Sequence, residues 1–115
     1  EFYNGITTTQ TDVENAGKKW EDLITGDLPS VSSSSLPDSD CLCAYPSTID
    51  DMYICVYEAP IPGNVVGTGG YTSQRSNNGL PVTGSIKLDS SDLASVNVDV
   101  IAHEIGHAIG VGTLW

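Results

Sequence analysis

The sequence predicts an α+β fold, and three observations carry that expectation. Two stretches, residues 11–26 and about 97–109, repeat apolar residues at the three-and-four spacing of a helix face. Two others, residues 50–60 and 80–92, carry the short apolar or alternating runs of strands. The segments between them are dense in Ser, Pro, Gly and Asn, residues that punctuate regular structure. At 115 residues, 39% of them hydrophobic, the chain is long enough for one small core and too short for two.

Taken in order, "TDVENAGKKWEDLITGD" opens on Thr11 with Glu14 three residues later, the spacing of a capping box. Val13, Ala16, Trp20, Leu23 and Ile24 then share one face, expected to pack on the core, and Gly26 is placed to end the helix in the left-handed conformation. "DLPSVSSSSLPDSD" is expected to be a solvated loop. "DDMYICVYEAP" puts Met52, Ile54 and Val56 on one face and Tyr53, Cys55 and Tyr57 on the other. With both faces apolar it reads as an inner strand, stopped by Pro60 and Pro62.

"PGNVVGTGGYTSQRSNNG" reads as loop. Its glycines follow neither the dinucleotide nor the Walker plan, so no phosphate site is expected and Arg75 has no anion-site context. "LPVTGSIKLDSSD" alternates, with Val82, Ile86 and Leu88 inward and Thr83, Ser85, Lys87 and Asp89 outward, as in an edge or half-exposed strand. "SSDLASVN" turns the chain and offers Ser or Asn as a helix cap. In "VDVIAHEIGHAIG", Val98, Ile101, Ala102, Ile105 and Ile109 then form the buried face of a helix of about three turns.

Four Lys and Arg against fifteen Asp and Glu leave a formal charge of -11, which repels phosphate backbones and argues against nucleic acid as a partner. No apolar run approaches the ~20 residues of a membrane span. Cys41 and Cys43 stand too close in sequence to bridge each other comfortably, so one of them with Cys55 is the expected disulfide, in an oxidising compartment. "CLC" lacks the two-residue gap usual in cysteine zinc sites.

The chemistry is concentrated in "HEIGHAIGVGTLW", which holds both of the chain's 2 histidines. On a helix, residues four apart lie one turn above each other, so His103 and His107 can aim two imidazole nitrogens at one ion. Glu104 is rotated by about 100° from His103, out of the first shell but within reach of a water on the metal. Zinc brings such a water to a pKa of roughly 7, where a neighbouring carboxylate can take its proton as general base. That is the logic of a zinc peptidase: His103 and His107 as metal ligands, Glu104 as the catalytic base. Gly110 is expected to turn the chain sharply after the second histidine.

"HEIGHAIG" is similar to the metzincin consensus HExxHxxGxxH, although Thr113 stands where the third histidine would fall. "HAIGVGTLW" resembles the leishmanolysin-like metallopeptidases instead. "AGKKWEDLITGDLP", "DDMYI", "LPVTGSIKLDSSDL" and "DVIAHEIGHAIGVGTLW" resemble segments of that family in the expected order, over most of residues 13–115. The resemblance implies a metzincin-like N-terminal subdomain, a twisted mixed sheet backed by two helices, 11–26 and about 97–109. It implies one zinc ion on His103 and His107, with a third histidine beyond residue 115 followed by a Met-turn; the lone methionine, Met52, precedes the motif. Residues 1–115 are thus expected to be part of a catalytic domain, inactive or nearly so alone, acting on protein or peptide substrates outside the cell or at its surface. The 82–89 strand would either line the cleft, taking an extended substrate by strand addition, or be an ordinary edge strand. The alternative to an enzyme is a non-catalytic binding or adhesion module that keeps the peptidase fold.

Overall fold

The computed structural model describes residues 2–4, 10–36 and 45–114, the first of these as backbone. In chain order the elements are β1 (Phe2–Asn4), α1 (Gln10–Leu23), β2 (Val31–Ser32), β3 (Thr48–Ile49), β4 (Tyr53–Ala59), β5 (Gly67–Gln74), β6 (Pro81–Asp89) and α2 (Val98–Ala108). Among the described residues this is a small α+β fold. A mixed sheet runs in the order β1-β4-β6-β5, with β1, β4 and β6 parallel and β5 antiparallel to β6. β2 and β3 form a separate antiparallel pair.

The register sets Ile54 beside Gly84 and Val56 beside Ile86. Cross-strand partners point to the same side, so Ile54, Val56, Ile86 and Leu88 present one apolar face. Against it pack Val13 and Ala16 of α1 and Ile101, Ile105 and Ala108 of α2, all buried. Each large side chain buried there contributes about 1.5–3 kcal/mol. Tyr53, on the other face of β4, joins Ile49 and Val82 in a second cluster, with Tyr45 edge-on to its ring at 5.7 Å. β4 is therefore the inner, two-faced strand that its alternation predicts.

The strand expected at an edge is also internal. β6 has β4 on one side and β5 on the other, so the 82–89 segment has no free edge for a substrate. Val82 packs in the second cluster rather than with Ile86 and Leu88. Thr83 and Asp89, expected in water, are buried, and both are satisfied locally. The Thr83 hydroxyl bonds those of Thr72 and Ser73 on β5. Asp89 Oδ1 accepts from the N–H of Ile61 and of Ser91, both at 3.0 Å, tying the β4–β5 connection across the end of β6. Those bonds, that from Ile61 foremost, hold the carboxyl below its ordinary 3.8.

Among the described residues the edge on this side of the sheet is β5, lying inside the glycine-rich segment that reads as loop. Its hairpin to β6 turns at Gly79, and Arg75 opens it. Arg75 is only 5% exposed, and its guanidinium donates to the carbonyls of Pro81, Pro29 and Asp51. Burial lowers its pKa, opposed by the Asp51 charge. It is a clamp between chain segments, not an anion site.

α1 differs from expectation at both ends. It begins at Gln10, so Thr11 lies inside the helix rather than at its cap, and Glu14 takes a bond from Gln10 Nε2 at 3.2 Å. It stops at Leu23, leaving Leu23 74% and Ile24 44% exposed where core packing was expected. Gly26 lies beyond the helix and is not among the glycines of positive φ. The Ser- and Pro-rich stretch holds β2 and a 3-10 turn, Ser33–Ser35, within its described part. Cys55 is buried and disulfide-bonded, while Cys41 and Cys43 lie outside the described residues. Among the described residues no helix is long and apolar enough to cross a membrane.

Candidate metal centre

α2 is fixed at its start by Asn97, whose Oδ1 accepts from the N–H of Asp99 and Val100, both at 3.0 Å. This is the cap anticipated from "ASVN", and it satisfies two of the orphan donors of the first turn. Asp99 adds a negative charge at the positive end of the helix dipole and meets Lys19 of α1 at 3.0 Å. That pair is exposed, so it adds little stability. Ile101 and Ile105 then anchor the helix in the core, with Val98, Ala102 and Ile109 half-buried beside them.

The opposite side of α2 presents the two histidines. His107 Nε2 lies 3.0 Å from His103 Nε2, with the rings nearly perpendicular and their centroids 4.6 Å apart. Two nitrogens ligating one zinc at tetrahedral angles stand about 3.3 Å apart. The observed spacing is close to that, so the two imidazoles converge as a chelating pair. His103 is exposed and His107 half-buried, which leaves the pair accessible from solvent.

Glu104, the residue after His103, is packed against β5. It is 9% exposed, and the helix backbone at this residue rides directly over β5. A Cβ placed on Gly69 would stand 2.6 Å from the Glu104 carbonyl oxygen and 3.1 Å from its Cβ. Only glycine permits that approach. Burial raises the carboxyl pKa above the ordinary 4.5, while the charges of His103 and His107 pull it back down. Among the described residues, no hydrogen bond engages the carboxylate and neither oxygen is sealed from solvent.

The helix ends in a Schellman motif. Gly110 takes φ +97°, Val111 N–H donates to the Gly106 carbonyl at 2.9 Å, and Gly110 N–H donates to that of His107 at 3.0 Å. Leu114 N–H and the Thr113 hydroxyl both return to the Gly110 carbonyl, at 2.8 Å and 3.3 Å. The sharp turn after the second histidine is present, and Thr113 is part of it.

The donor set suits zinc, which takes imidazole nitrogen readily. His103 and His107 would hold it; among the described residues no group of three or more His, Cys, Asp and Glu forms a metal cluster. Comparison with known proteins adds nothing to this site: no family model, no curated protein and no solved structure matches the chain. Sequence reasoning named all three polar residues of the site but missed Gly69 beneath it. The available signal was Gly67 and Gly69 at the two-residue period of a strand, overridden by the glycine density around them.

Proposed function

We propose that this chain carries the active-site helix of a zinc-dependent metalloendopeptidase of the leishmanolysin-like type, in a metzincin-like N-terminal subdomain. The observation that carries this reading is the convergence of His103 and His107 at 3.0 Å, with a largely buried glutamate directly after the first of them on the same helix. When bound, zinc supplies Lewis acidity, which acidifies water and polarises a carbonyl.

The chain's own groups do the rest. His103 and His107 hold the ion through Nε2. Glu104 accepts a proton at its carboxylate as general base and returns it to the leaving amine. The packing of its helix turn on β5 fixes the backbone and Cβ from which the carboxylate projects, which limits the positions it can take. β5, the edge strand beside α2, offers backbone groups along which an extended peptide can lie, the role that β6 cannot fill. The Cys55 disulfide supports an extracellular or cell-surface setting.

The experiment is proteolysis of an unstructured protein substrate by the full-length protein and by Glu104→Gln. Activity should fall by about 10²–10⁴-fold, with zinc still bound. Retained cleavage in a folded variant would remove Glu104 from the mechanism. Zinc binding without any cleavage by the unmutated protein would point to a binding module instead.

A further inference from the structure

Trp20 was read from sequence only as a core residue. It is half-buried, and two of its contacts on α2 fall on the residues immediately before the two histidines. Its indole Nε1–H donates to the Ala102 carbonyl at 2.7 Å. A carbonyl oxygen has two lone pairs, so this one can serve the helix and the indole together. One turn later the six-membered edge of the ring lies against Gly106, where an added Cβ would meet Cζ2 at 3.0 Å.

From this geometry we propose that Trp20 is a positioning residue for the metal pair. It fixes the spacing of the two helix turns from which His103 and His107 project. The proposal rests on the zinc reading above. Neighbours of metal ligands that set ligand orientation influence affinity strongly, and here the orientation is set through backbone rather than through the imidazoles. The pair needs both nitrogens aimed at one point, and a small change of pitch between residues 102 and 106 separates them. Gly106 fits the same account. It is a poor helix former in the last turn of a helix, and the space it leaves is filled by the indole.

Two substitutions in the full-length protein test this. Trp20→Phe removes the donor and keeps an aromatic ring. Gly106→Ala keeps Trp20 but drives a methyl into the indole, while improving helix propensity. Each should lower zinc affinity by about tenfold in a competition titration. Each should also weaken the ring-proton NOE between His103 and His107 in the metal-free protein. Ile105→Val, a core truncation between the same turns, should do neither. The proposal is overturned if Trp20→Phe and Gly106→Ala keep wild-type affinity and NOE, or if Ile105→Val loses as much. A wild type that binds zinc no better than His103→Ala would instead refute the zinc reading, and the NOE would still decide the role of Trp20.

Discussion

The two helices pack side by side on one face of the sheet, yet they are built under different demands. α1 buries only Val13, Ala16 and Gly17, and its last turn runs out into solvent with Leu23 exposed. α2 buries Ile101, Glu104, Ile105, Gly106 and Ala108 within eleven residues, with a side-chain cap at one end and a Schellman turn at the other. α1 is a buttress whose specific demands centre on Trp20. In α2 nearly every position answers to a neighbour: strand β5 below, Trp20 beside, solvent above the histidines.

That contrast sets a ranking that measurement can break. Ile105→Ala should cost about 2–5 kcal/mol in urea denaturation, since it empties a fully buried site between α2 and the sheet. A cost no greater than that of an α1 surface change would erase the distinction. Gly69→Ala, on the strand under Glu104, should cost about 1–3 kcal/mol through overpacking, and should also lower proteolysis by displacing the helix turn. Activity at wild-type level in that variant would show that the close approach is incidental.

Asp89, whose carboxylate is bonded to the N–H groups of Ile61 and Ser91, gives an independent control. Its folded pKa is depressed, so the unfolded chain binds the proton more readily, and its contribution is present above pH ~4 and lost as pH falls through the folded value. Asp89→Asn should flatten the acid limb of the stability curve without altering the α1–α2 ranking. Smallest of all, Leu23→Ala should change stability by no more than about 0.5 kcal/mol, because the side chain is 74% exposed.

The same contrast explains what could be read in advance. α2 was legible because its cap, its apolar period and its histidine spacing are all local features. The ends of α1 were not, because Leu23 and Ile24 satisfy the helical period while the described residues leave much of both side chains exposed. β5 was hidden for a different reason. Its Gly69 admits the backbone of α2, a contact some 35 residues away in sequence, and glycine density otherwise signals loop. β6 showed its alternation but not its place in the sheet, since Thr83 on its polar face is buried against hydroxyls of β5 rather than in water.

The sealed end of α2 has one more effect. Helix termini open and close far more often than helix centres, and His107 belongs to the final turn. Whenever that turn unwinds, an ion would be left with a single anchor, and apparent affinity falls in proportion to the time spent open. By returning the last carbonyls to the backbone beyond Gly110, the motif keeps the competent population near its maximum before any ion arrives.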